Sequence, residues 1–359
     1  MADYTTIDDP SAHFQAIGWT GNDVDGRALT NDGNSNLQPD LVWIKAEVGY
    51  NHFLTDSSRG TSVYLSSNTT TADTTWTDLV ESFDTNGFTI GDDGGQVPNH
   101  TGNIFAAWQW KANGGTTSSN GDGGITSTVQ ANTTAGFSIA TYTGNSNNPS
   151  SVGHGLGVVP KFYVIKQRDD ANPWKVYHSG IATDAEDYVM ELNTTGARED
   201  NVIWNDTGPT SSVINFTDHG GVNQSGETYI AYSFAEVQGY SKFGKYVGNG
   251  SASNGPFVYT GFQPAFIMFK KSSDSGDNWM MYDHKRQGYN ETTKAYYPNS
   301  TGAESTSTNN SLDILSNGFK LRSSFGAVNQ STHTYIYAAF AKHPFVTSDD
   351  GGSIPTTAR

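Results

Sequence analysis

One short pattern occurs three times in this 359-residue chain, in the same order and with similar internal spacing. The first copy opens on Trp19-Thr20-Gly21-Asn22 and passes through Gln38-Pro39 into the apolar run Leu41-Val42-Trp43-Ile44-Lys45. It closes with Asn99 and Ile104-Phe105-Ala106-Ala107-Trp108-Gln109-Trp110. The second has Tyr142-Thr143-Gly144-Asn145, Val159-Pro160 before Phe162-Tyr163-Val164-Ile165-Lys166, then Asn223 and Thr228-Tyr229-Ile230-Ala231-Tyr232-Ser233-Phe234. The third has Tyr246-Val247-Gly248-Asn249, Gln263-Pro264 before Phe266-Ile267-Met268-Phe269-Lys270, then Asn329 and Thr334-Tyr335-Ile336-Tyr337-Ala338-Ala339-Phe340. The repeat signature is therefore Gly21, Pro39, Lys45 and Trp110, then Gly144, Pro160, Lys166 and Phe234, then Gly248, Pro264, Lys270 and Phe340. A unit this long exceeds a solenoid repeat or a propeller blade. Each copy reads as a whole small domain, and the chain as a tandem array of three.

The runs between turns are short, rich in aromatic and β-branched residues, and bounded by Gly, Pro or Asn, which is the pattern of strands. The runs ending in Lys45, Lys166 and Lys270 are apolar at consecutive positions. They read as strands covered on both faces, each with its lysine where the strand meets water. In the closing runs, aromatic and small residues interleave as they do when sheets pack face to face. Ser62-Val63-Tyr64-Leu65 and Tyr188-Val189-Met190-Glu191-Leu192 read as further strands. Asn86-Gly87 and Asn317-Gly318 each signal a hairpin. The fold class expected is all-β, as three tandem β-sandwich domains of jelly-roll or concanavalin-like type. Their boundaries fall at 1–112, 125–238 and 239–346, with a C-terminal tail over 347–359. Residues 113–124 contain Gly114-Gly115-Thr116-Thr117-Ser118-Ser119 and Gly121-Asp122-Gly123-Gly124, a flexible linker by composition. The first domain is expected to be hinged, and the second and third to pack rigidly.

Charge and composition exclude several classes. With 20 basic and 36 acidic residues the chain carries −16, which repels phosphates, so no nucleic-acid partner is expected. The absence of cysteine removes disulfides and thiolate chemistry. No apolar stretch reaches the length of a membrane span, so no membrane insertion is expected. The opening Met1-Ala2-Asp3-Tyr4 lacks the features of a secretory signal, which points to synthesis in the cytoplasm without a signal peptide. Asn-x-Ser/Thr sequons at Asn68, Asn132, Asn193, Asn249 and Asn299 are expected from an Asn/Ser/Thr-rich chain and do not imply glycosylation.

Reactive motifs are scarce. There is no nucleophile elbow and no zinc-binding helix motif. Gly153-His154-Gly155-Leu156-Gly157 runs into a strand rather than a helix, so it reads as a turn, not a phosphate loop. The carboxylate pairs Asp169/Asp170, Glu186/Asp187 and Glu199/Asp200 read as solvated loop residues, and no catalytic residue is assigned. No cofactor is expected. Loop-bound calcium is the alternative, through Asp23-Val24-Asp25-Gly26 and Asp92-Asp93-Gly94-Gly95, neither of which completes a twelve-residue calcium loop. His178 and His284 sit near strand ends, where the first copy has Asp56. Trp76, Trp174 and Trp204 are flanked by Thr, Asn, Asp or Pro. Together they form a candidate exposed platform for stacking on sugar rings.

Several blocks are similar to a family of proteins from marine tailed bacteriophages. They are Asp3-Tyr4-Thr5-Thr6-Ile7-Asp8-Asp9-Pro10, Leu37 to Lys45, Val152 to Gly157, Tyr229 to Val237, Ser316 to Arg322 and Ile354 to Arg359. The resemblance implies tandem concanavalin-like sandwiches in a virion component, and it carries no catalytic residues. The first copy departs most from the pattern, since it lacks the Gly-His-Gly-Leu-Gly block. The resulting expectation is a non-enzymatic structural protein on the exterior of a bacteriophage virion, a capsid decoration or fibre-like protein. Its expected partners are other virion proteins and further copies of itself on a symmetric particle. The alternatives are a carbohydrate-binding adhesin module contacting host-surface glycans and, behind it, a polysaccharide-degrading enzyme.

Overall fold

Aromatic and β-branched runs form the strands, and the Gly/Asn/Ser stretches form the turns between them. The computed structural model describes residues 4–92 and 98–347. The first repeat supplies β1 (Phe14–Thr20), β2 (Arg27–Thr30), β3 (Leu41–Ala46), β4 (Phe53–Asp56), β5 (Gly60–Leu65), β6 (Thr74–Thr75), β7 (Ser82–Asp84), β8 (Gly87–Ile90) and β9 (Ile104–Trp110). The second supplies β10 (Ser118–Asn120), β11 (Ser127–Asn132), β12 (Phe137–Thr143), β13 (Ser150–Gly153), β14 (Phe162–Gln167), β15 (Lys175–His178), β16 (Tyr188–Glu191), β17 (Glu199–Asp200), β18 (Val213–Phe216) and β19 (Thr228–Phe234). The third supplies β20 (Ser241–Val247), β21 (Phe257–Tyr259), β22 (Phe262–Lys271), β23 (Met280–Asp283), β24 (Leu312–Leu315), β25 (Gly318–Leu321) and β26 (Thr334–Pro344).

The three repeats share one frame. Their large antiparallel sheets contain the orders β1-β9-β3-β4, β12-β19-β14-β15 and β20-β26-β22-β23. Smaller sheets, β2-β8-β7, β13-β18 and β21-β25-β24, accompany them. The pleat then decides what each side chain meets. In β3, Val42 and Ile44 join Leu29, Phe88 and Ile90 of the small sheet in one core cluster. Leu41 and Trp43, on the opposite face, join a cluster built from all three repeats. In the third repeat Ile267 and Phe269 face their own small sheet, while Phe266 and Met268 face the neighbours. This is why the strands are apolar at consecutive positions.

Three equivalent aromatics meet at the centre. Trp110 and Phe234 each lie 5.6 Å from Phe340 between ring centroids, and Trp110 and Phe234 are 6.3 Å apart. Leu41, Phe162 and Phe266, with Trp43, Val164 and Met268, help them enclose a cavity of about 40 Å³. No polar atom lines it, so a water there would have no partner and the space stays dry.

The hinge expected before the second repeat is absent. The buried carboxylate of Asp40 accepts the N–H groups of Ala112, Gly114 and Gly115 at 2.7, 2.9 and 2.7 Å, which fastens the start of the linker. Ser118–Asn120 pairs with β11. Gly114 and Gly115 adopt φ of 61° and 79°, so here glycine serves a tight turn rather than slack chain. Phe14 stacks on Phe340 at 5.5 Å, bringing the first repeat onto the third. Of the expected tail, residues 348–359 lie outside the described residues.

The other signature residues hold the strand ends. A Cβ on Gly21, Gly144 or Gly248 would come within 2.1, 2.2 or 2.2 Å of the carbonyl oxygen of His100, Gln224 or Gln330. Only glycine allows that approach. The same loops are clamped by three buried asparagines. Asn99, Asn223 and Asn329 each accept, through Oδ1, the backbone N–H of Asn22, Asn145 or Asn249 at 3.2, 2.9 and 2.8 Å. Both expected hairpins form, β7–β8 and β24–β25.

Candidate functional site

The signature lysines do not meet water. Lys45, Lys166 and Lys270 are fully buried, because alternation places them on the face that packs against neighbouring repeats. Each ammonium caps carbonyl oxygens at the end of its strand, and Lys270 also reaches one in the second repeat. Lys45 Nζ donates to Ala46 and Val48 at 2.9 Å each. Lys166 Nζ donates to Gln167 at 2.6 Å and Asp170 at 3.4 Å, and Lys270 Nζ to Lys271 at 3.0 Å and Thr195 at 3.3 Å. Burial pushes each of the three down to about 8.

Three sets of equivalent contacts then close the repeats into a ring. Asp56, His178 and Asp283 stand opposite Leu41, Phe162 and Phe266 in their ladders. Each reaches the next repeat. Tyr232 Oη donates to Asp56 at 2.8 Å, His178 Nε2 donates to the Tyr337 carbonyl at 2.9 Å, and Trp108 Nε1 donates to Asp283 at 3.1 Å. His52, Trp174 and Trp279 precede the same strands and reach the other way. Their side chains donate to the carbonyls of Tyr297, Ser66 and Glu191 at 3.0, 2.9 and 3.1 Å. Backbone bonds complete the seams, from Asp73 N to Arg168 O, Arg198 N to Ser272 O and Glu304 N to Glu47 O, at 2.7, 2.9 and 2.9 Å. The first repeat grips the second, the second the third, and the third the first.

The sequons at Asn68, Asn193 and Asn299 belong to this machinery. Their Oδ1 atoms accept the backbone N–H of His52, Trp174 and Trp279, each at 2.9 Å.

Two seams hold a buried guanidinium between carboxylates. Arg59 binds Asp56 at 2.6 Å and Asp73 at 2.7 Å; Arg286 binds Asp283 at 2.5 Å and Glu304 at 2.7 Å. Burial would raise the carboxyl of Asp283, but Arg286 beside it holds it below its ordinary range. The middle seam uses histidine instead. Gly180 N donates to His178 Nδ1 at 2.9 Å, so the proton sits on Nε2 and faces Tyr337. His52 has the same tautomer, since Trp43 Nε1 donates to its Nδ1 at 2.9 Å. Burial pushes His178 down to about 4 and His52 well below its usual value.

A pH dependence follows. Both rings are neutral in the fold, whereas in the unfolded chain they take up protons below about 6.5. Their contribution is complete above that value and is lost as pH falls toward 4. His178 alone should remove on the order of 3 kcal/mol across this window. Urea unfolding midpoints from pH 7 to 4.5 should fall more steeply for the native chain than for His178→Gln.

The tryptophan platform expected from the sequence does not form. Trp174 and Trp204 are fully buried. Trp174 belongs to the seam just described. Trp204 donates to Tyr188 O at 3.0 Å and packs its ring against Tyr163 at 5.0 Å. Trp76 is half-buried against Phe53 and Tyr64. The three do not share a surface. Trp174 and Trp279 occupy the same place in their repeats, and that recurrence marks a structural role rather than an exposed one.

In the first candidate calcium loop, Asp23 Oδ1 accepts the backbone N–H of Thr101 at 2.7 Å and lies 3.4 Å from His100 Nδ1. Asp93, Gly94 and Gly95 of the second lie outside the described residues. Among the described residues no three His, Asp or Glu side chains are placed to hold a metal ion. No described helix is long and apolar enough to cross a membrane. His154 caps a turn, with Leu156 N donating to its Nδ1 at 3.2 Å.

No curated protein and no solved structure matches the chain. A family described as a domain of unknown function (DUF7483) matches residues 9–344. That span takes in every signature residue, all three seams and the central aromatics, and the chain belongs to this family.

Proposed function

We propose that the protein is a non-enzymatic structural component on the exterior of a bacteriophage virion, a capsid decoration or fibre-like protein made in the bacterial cytoplasm. The observation that carries this reading is the use made of the buried polar residues. Lys45, Lys166, Lys270, His52, His178, Arg59 and Arg286 all hold repeats or strand ends together. An acidic, cysteine-free ring suits an exposed position, and copies on a symmetric particle would add stability through their contacts. The resemblance to marine phage proteins supports the same setting. Mass spectrometry of purified virions should find the chain in many copies per particle. Its absence from intact particles would overturn the proposal.

A further inference from the structure

We infer that the pocket where the first and third repeats meet binds a small oxyanion, either free or as the sulfate ester of a sugar. The pocket has a volume of about 200 Å³. Lys285, Lys342, His284 and His343 contribute to its wall, and Asp32 is the one carboxylate among its described lining residues. In a chain of net charge −16 these residues gather two lysines and two histidines in one pocket. Phe14, Ala16, Ala265 and Ala341 also line it, and they strengthen electrostatic attraction by excluding water.

The bridge across the pocket is movable. Lys285 Nζ of the third repeat lies 2.6 and 2.8 Å from the two oxygens of Asp32 in the first. The two side chains are 31% and 66% exposed, so this pair at the rim is weak and an incoming anion can replace Asp32 at Lys285. His284 turns Nδ1 toward the Ala265 carbonyl at 3.3 Å.

The histidines report the same field. Burial pushes His284 down to about 4, with Lys342 and Lys285 adding to the effect and Asp283 opposing it. Burial also lowers His343, aided by Lys342 and opposed by Asp9. A bound oxyanion offsets the repulsion from Lys342 and Lys285 and so favours the protonated imidazole. By linkage, affinity then rises as pH falls, by up to about tenfold per pH unit for each proton taken up.

The test is calorimetric titration of the full chain with sodium sulfate, and separately with glucose 6-sulfate, at pH 5.5 and 7.5 and fixed ionic strength. Saturable binding at pH 5.5, about tenfold weaker at pH 7.5, is expected in at least one arm. Asp32→Asn should tighten it by removing the competitor. Lys342→Met should weaken it, and Asn34→Trp should abolish it by filling the mouth without changing charge. A tighter fit for the sugar sulfate identifies the ester as ligand, and equal affinity identifies the free ion. No saturable heat at pH 5.5 would overturn the inference. So would binding unaffected by both Asp32→Asn and Asn34→Trp.

Discussion

Replacing Arg286 with alanine should lower the free energy of unfolding by about 3–5 kcal/mol, because it strands buried carboxylates rather than merely removing a contact. Asp283 and Glu304 have side chains 1% and 5% exposed, and Arg286 lies 2.5 and 2.7 Å from them. Its guanidinium also sits 4.1 Å from the Tyr296 ring centroid, so the variant loses packing as well as charge. Glu304 keeps Lys294 at 2.8 Å, which leaves Asp283 as the carboxylate with most to lose. Removing both charges while keeping an acceptor for Trp108, as Asp283→Asn with Arg286→Met, should therefore recover part of the loss. Urea denaturation of the single and double variants checks both statements. A double variant less stable than Arg286→Ala would contradict this account of the seam.

Trp110→Ala should cost a similar amount, about 3–5 kcal/mol, for a different reason. The ring touches Phe14, Phe234, Phe266 and Phe340 at centroid distances of 5.0, 6.3, 5.7 and 5.6 Å, so truncation opens a hole where all three repeats meet. Its indole N–H is buried without a hydrogen-bond partner. Trp110→Phe discards that orphan donor and restores the residue found at the equivalent positions Phe234 and Phe340. It should cost under about 1.5 kcal/mol. Thermal or urea unfolding of the pair separates the two. Equal losses would mean the centre is not packed as described.

Much of the frame was legible in the sequence because it rests on local chemistry. Strand periodicity, the glycines at close approaches and the Asn-Gly hairpins each announce themselves within a few residues. The seams were harder to read because position recurs there while chemistry changes. Asp56, His178 and Asp283 do the same work with different groups, as do His52, Trp174 and Trp279. Their partners lie in another repeat, where no local pattern links them. The lysines misled because a cation at the end of an apolar run ordinarily reaches water. Here it reaches carbonyl oxygens beneath a neighbour. Residues 113–124 misled because composition reports what glycine permits, and Asp40 turned that freedom into a fixed turn. The clue that recurred without being used was the asparagine at positions 68, 193 and 299.

The sharpest test is differential scanning calorimetry of the intact chain. A ring whose repeats bury their inner faces only against one another should melt in a single transition, with calorimetric and van't Hoff enthalpies that agree, and Trp110→Ala should shift that whole transition downward. Separate transitions, with Trp110→Ala lowering just one of them, would contradict the closed ring.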